Sequence, residues 1–212
     1  MKDDVLKKTI IKLTEPIAQS LKLTIWGLEI LRAGRMIIRL YIDAPLSPPL
    51  MPEAAAPSSG ENAARRSPSI DQCEEISRHL ALALDVENLI EEAYTLEVST
   101  PGFSRIFFNL AQMRPYLGDL MEVRLHDPVT PEPPDRTHPD PALSPRRLWR
   151  GRLNAVQDDA FVLEPAVISA DGDIILEAFK PLCLLWKNVR RANRLHIFKL
   201  PAKPGKKTGA SR

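Results

Sequence analysis

Apolar residues recur at Leu6, Ile10, Leu13, Ile17 and Leu21. Steps of three and four put them on one stripe of a helix, with Lys7, Lys8 and Lys12 away from it. Pro16 has no N–H to offer the carbonyl of Lys12, which predicts a kink or a restart there. The pattern then changes to alternation. Residues 23–31 read as a strand and Ala33-Gly34 as a turn. Beyond it, Met36, Ile38, Leu40 and Ile42 alternate with Ile37, Arg39, Tyr41 and Asp43. Two such runs joined by a tight turn predict a hairpin. A second helix starts at Ser69, where Gln72 three residues on completes a capping box. Asp71, Glu74 and Glu75 suit the positive end of its dipole. Its apolar stripe is Cys73, Ile76, Leu80, Ala83 and Leu84. His79 lies at the stripe's edge and reads as a packing or surface histidine.

Residues 94–109, YTLEVSTPGFSRIFFN, follow. Tyr94, Leu96 and Val98 alternate with Thr95, Glu97 and Ser99, the period of a half-buried strand. Pro101 cannot donate to a ladder, and Gly102 can take the positive φ of a tight turn. Phe103, Phe107 and Phe108 then supply an aromatic anchor around Arg105. A strand running through a rigid turn into aromatics suits a junction between two packed bodies. Pro101, Gly102 and Arg105 are therefore expected to form an interdomain turn that fixes the angle between them.

After residue 120 the pattern is one of short strands. They are marked by Met121, Val123 and Leu125, by Trp149, Gly151, Leu153 and Ala155, by residues 160–164, 174–179 and 189–197. Turn signals stand at 157–159 and 171–173. Five short strands in a helix-poor stretch predict a small β-barrel of the SH3 or Sm-like kind, with Gly151 at a sharp bend.

The expected fold is thus α+β. An N-terminal α-β-β-α-β domain (a three-stranded sheet with two helices on one face) precedes a C-terminal barrel. Proline refines the boundaries. Of 20 prolines, six fall within 45–68 and seven within 128–145. Both stretches lack apolar periodicity and read as long loops inserted into compact domains. The first domain spans 1–117 with its insertion at 45–68. The second spans 118–198 with its loop at 127–146. Residues 199–212, carrying Lys203, Lys206 and Lys207 among Pro and Gly, read as a disordered basic tail.

Charge separates the halves. Residues 71–117 hold eight acids against three Arg, whereas 146–199 hold ten Lys and Arg against six acids. Basic residues cluster as Arg146, Arg147, Arg150 and Arg152, and as Lys187, Arg190, Arg191 and Arg194. They read either as a patch for RNA phosphate or a partner protein, or as a solvated face. The candidate contacts are Arg147, Arg150, Lys187, Asn188, Arg190 and Arg191. Trp149 and Trp186 lie beside the clusters, where they can stack on a base or serve as core or rim.

Other chemistry is missing. There is no Walker loop, GxGxxG, HExxH, GxSxG or CxxC. His79, His126, His138 and His196 are scattered, and Cys73 and Cys183 are far apart, as in a reducing compartment. The adjacent acids Glu91-Glu92 and Asp158-Asp159 point apart. No catalytic residue, metal or cofactor is expected. The charged N-terminus has no apolar signal core, and no apolar run nears the ~18 residues of a membrane span. A soluble cytoplasmic adaptor is the expectation.

Four runs then carry a likeness. RLYID at 39–43, SIDQC at 69–73, LEVSTPG at 96–102 and VRRAN at 189–193, in that order and spacing, together resemble the bacterial ribosome maturation factor RimP family. The resemblance covers residues 4–198 apart from the two Pro-rich loops. Ser104 and Ile106 stand where the family pattern has Asp and Pro. It implies an α/β domain followed by an SH3-like barrel, without catalytic residues or cofactor. It further implies a ribosome assembly factor that joins the immature small (30S) subunit, helps its maturation and leaves. The implied partners are that subunit, its ribosomal protein S12 and 16S rRNA. The second reading is an RNA-binding module acting on free RNA outside the ribosome.

Overall fold

The computed structural model describes residues 2–45, 67–133, 143–169 and 171–197. The chain divides into two units, Met1–Pro115 and Tyr116–Arg212. Residues 46–66 of the first Pro-rich insertion, residues 134–142 of the second and the basic tail lie outside the described residues.

The first unit begins with α1 (Lys2–Ser20), β1 (Thr24–Ala33) and β2 (Arg35–Asp43). β1 and β2 are antiparallel, with Ile30 opposite Ile38, and Gly34 turns the chain at φ +84°. α2 (Ile70–Val86) is followed by β3 (Tyr94–Ser99), which runs parallel to β2 with Leu96 beside Ile38. Parallel pairing needs a long return connection, and α2 supplies it. The order is β1-β2-β3. Met36, Ile38, Leu40 and Ile42 on one face of β2 are buried with Ile10 of α1 and with Ile76, Leu80 and Leu84 of α2. Burying each such side chain contributes about 1.5–3 kcal/mol, so this shared core outweighs helix propensity.

That balance explains α1. The helix does not restart at Pro16 but runs unbroken from Lys2 to Ser20. Ile17 and Leu21 beyond the proline pack against the core, which offsets the one missing hydrogen bond. α2 starts as its sequence predicts. The Ser69 hydroxyl accepts from Gln72 N at 3.2 Å, and the Gln72 side chain accepts from Ser69 N at 2.9 Å. Cys73 is half-buried beside the core, and burial pushes its thiol pKa up, whereas Cys183 is exposed. A thiolate-selective alkylating reagent near neutral pH is therefore expected to label Cys183 well before Cys73, the latter reacting only as pH rises. Mass mapping of the two peptides checks it.

Beyond β3 come β4 (Ile106–Phe107), α3 (Leu110–Met113) and a 3₁₀ turn at Arg114–Tyr116. The second unit holds β5 (Leu120–Val129), β6 (Arg146–Val156), β7 (Ala160–Ile168), β8 (Ile174–Leu176), β9 (Leu182–Leu185) and β10 (Val189–Arg194). Its strands run in the order β10-β5-β6-β7-β8, all antiparallel, with β9 also beside β7. There are six strands, not the expected five, and their pairings trace a path rather than a closed ring among the described residues. β9 escapes the alternation test because Cys183 and Leu185, its exposed positions, are apolar. β8 ends at Leu176 instead of 179, although Glu177 N still donates to Pro165 O at 2.9 Å, and the Glu177 side chain pairs with Arg146 at 2.9 Å. Trp149, Phe161, Leu153, Leu163 and Met121 fill the core. Gly151 is needed for a close approach. A Cβ there would lie 2.2 Å from the carbonyl oxygen of Glu164 on the neighbouring strand.

Candidate functional site

Two sets of candidate residues take different roles. In the first unit, Pro101 is buried and Gly102 turns the chain at φ +66°. The turn delivers Arg105 to Asp43, the last residue of β2. Arg105 Nη1 donates to Asp43 Oδ2 at 2.8 Å, with the two side chains 14% and 2% exposed. Asp43 Oδ1 accepts from Ala44 N at 2.9 Å. The guanidinium also lies 4.9 Å from the centre of the Trp26 ring. Trp26 Nε1 donates to Ile106 O at 2.6 Å. Gln112 then binds both sides of the gap. Its Nε2 donates to Trp26 O, and its Oε1 accepts from Phe108 N at 2.7 Å. Gly27 leaves room for the Phe108 ring, which a Cβ would meet at 2.1 Å. Residues 105–112 are thus strapped onto β1. This is a polar buttress with no nucleophile in an open cleft.

The second set lies in the second unit. Strand register puts Arg191 of β10 beside Arg124 of β5, and Arg124 beside Leu148 of β6. One step along, Asn193, Glu122 and Arg150 form the next cross-strand row, and Arg152 faces Glu164 beyond it. Side chains alternate across a sheet, so these rows share the face opposite buried Val123, Trp149 and Ala192. Adjacent strands are about 4.8 Å apart, which lets neighbouring arginines reach one phosphate or carboxylate. Arg124 has no place among the sequence candidates. Its alternation with Val123 and Leu125 is the signal that finds it.

On this face and around it, charges are partly spent. Glu122 is only 13% exposed and takes Arg150 at 2.8 Å and Arg124 at 3.6 Å. Arg152 donates to Gly118 O at 3.0 Å. Arg147, Lys187 and Arg190 are exposed, with no ion-pair partner among the described residues, but they lie off this face: alternation puts Arg147 with Trp149 and Arg190 with Ala192, and Lys187 stands in the 3₁₀ turn Trp186–Asn188. Arg191 is also exposed. Asn188 is a clamp instead, since its side chain accepts from Asp127 N at 2.8 Å and donates to Asp127 O at 3.1 Å. Arg146 is consumed by Glu177, by Trp149 and by Phe179. Arg194 is held by Asp119 at 2.8 Å and lies over Tyr116. Trp149 is fully buried beneath Arg146 and unavailable to a base, while Trp186 is half-buried and meets Phe161 edge-on. Among the described residues, no three His, Cys, Asp or Glu side chains group as metal ligands, and no helix is long and apolar enough to cross a membrane.

Known proteins share this sequence closely. Residues 13–104 match the family model described as RimP N-terminal domain. The ribosome maturation factor RimP of Desulfovibrio desulfuricans is 52% identical, over 97% of this chain and 86% of that protein. That of Nitratidesulfovibrio vulgaris strain DP4 is 39% identical, over 95% of this chain and 96% of that protein. The RimP of Lawsonia intracellularis is 28% identical over the whole chain. With half its residues shared with one such protein along almost its entire length, this chain belongs to the RimP family of ribosome maturation factors.

Proposed function

We propose that this protein binds the immature 30S subunit in the cytoplasm through the basic residues of its second unit and promotes maturation without catalysis. The observation that carries this reading is the 52% identity to a protein named for ribosome maturation. The cross-strand arginines supply the means, because phosphate is their natural counter-ion and a planar guanidinium can grip it with two bonds. In this reading the contacts are 16S rRNA and ribosomal protein S12. The second unit is an SH3/Sm-like barrel, a reading supported by short antiparallel strands and by a 3₁₀ turn (Trp186–Asn188) linking the last two.

The test is co-sedimentation of the purified protein with small subunits, large subunits and assembled ribosomes at two salt concentrations. Selective, salt-sensitive pelleting with the small subunit is the expected result. Reversing Arg147, Arg150, Lys187 and Arg190 together is expected to weaken binding. It should also flatten the log-log salt dependence by roughly three units, at about 0.7–0.9 unit per phosphate contact. Unchanged affinity in a folded four-fold variant would remove these basic residues from the reading. Binding to bare RNA with no pelleting on any particle would favour action on free RNA instead.

A further inference from the structure

The first unit carries a groove of about 650 Å³ at the start of α1, within the size range of ligand sites. Its lining joins α1, the β1–β2 hairpin (Arg32 and Met36) and the loop after α2. α1 contributes Asp3, Val5, Leu6 and Thr9, and the loop after α2 contributes residues 88–92. The loop is aimed by Asn88, which takes φ +47° just after the helix and donates its N–H to Asp85 O at 3.2 Å. Leu89 and Ile90 can then turn back against the core, while Glu91 and Glu92 remain exposed.

The groove therefore has an apolar floor and an acidic lip. Met36 is buried beneath it, and Leu6, Leu89 and Ile90 are half-buried. Val5 stands 64% exposed, an aliphatic side chain with no cover. Three carboxylates line the groove against one cation, Arg32. That cation is already shared, donating to Asp3 at 3.0 Å and to Glu92. Arg32 and nearby Lys7 hold the Asp3 carboxyl below its ordinary pKa, so it stays charged. Glu91 has no ion-pair partner among the described residues.

We infer that this groove docks an extended protein segment bearing lysine or arginine beside an aliphatic residue. The aliphatic side chain covers Val5 and the Leu6–Ile90 floor, and the cation meets Glu91. RNA does not suit the place, because carboxylates repel phosphate. The inference stands apart from the basic face, which lies on the second unit and selects the opposite charge.

The probe is a short fluorescent peptide of alternating Lys and Leu, compared with its Glu-for-Lys twin, titrated into the full chain with anisotropy as the readout. In the four-fold reversal variant of the second unit, which removes cations that a Glu twin would otherwise meet, the Lys peptide is expected to bind and the Glu twin not to. Glu91→Lys should weaken the Lys peptide by roughly tenfold or more, since like charges now meet. Val5→Asp, at an exposed site whose change leaves the fold intact, should weaken it independently. The four-fold reversal on the second unit should leave peptide affinity unchanged while altering subunit binding. Failure of either reading is thus seen separately. Equal binding of both peptides to that variant, no binding of the Lys peptide, or indifference to both Glu91→Lys and Val5→Asp would overturn the inference.

Discussion

Gly151→Ala is expected to destabilise the second unit by about 3 kcal/mol or more, at the upper end of overpacking costs. The added methyl would sit 2.2 Å from Glu164 O, 2.8 Å from the same carbonyl's carbon and 2.9 Å from Leu163 Cγ. Two of these three atoms are backbone, in a strand paired on both sides. A flexible side chain could swing aside, but this carbonyl is held by the ladder, and Leu163 is fully buried. The measurement is denaturant unfolding followed by amide signals assigned to β6 and β7. Those signals should broaden or vanish at denaturant concentrations where the β1–β2 hairpin is still intact. A variant whose β6 and β7 signals and midpoint match the parent would show that the strands separate more easily than the geometry allows.

Asp43→Ala should destabilise the first unit by about 3–5 kcal/mol, the range seen when one partner of a buried ion pair is removed. The loss would exceed that of an exposed pair such as Arg78–Glu74, for which 1 kcal/mol is a rough upper bound. The difference comes from burial, because Arg105 would remain beneath the surface without its carboxylate. Replacing both partners with leucine should recover part of the loss, since no charge is then stranded. Equilibrium unfolding of the single and double variants separates these outcomes. Equal stability of Asp43→Ala and the parent would mean that water reaches Arg105 freely.

The first unit was largely legible because its signals are local. The alternation of residues 36–42, the capping box at Ser69 and the stripe of α2 each lie within one element. What could not be read depends on distant residues. Asp43 sits at a polar position in its alternating pattern, yet it is almost fully buried because Arg105, 62 residues on, covers it. Arg146 belonged to a cluster of basic residues on paper. In the fold it is taken by Glu177, 31 residues away. Conversely, alternation marks Arg124 as outward-facing, but only strand register puts it beside Arg191. Asn188 looked like a contact because of its neighbours, and its amide proved to be needed by the Asp127 backbone. Side-chain polarity marks which residues can meet a partner, but only pairing shows which are still at liberty to do so.

The parallel pairing of β2 with β3 also sets an order of events during synthesis. Arg39 and Glu97, joined across those strands, are 58 residues apart. A nascent chain that has emerged only as far as α2 carries the β1–β2 hairpin with one edge of β2 open. Asp43 has by then no cation to neutralise it. Long-range contacts of this kind form late. The first unit can therefore finish folding only once residue 105 has left the exit tunnel, and until then its half-made sheet is exposed to any neighbouring strand.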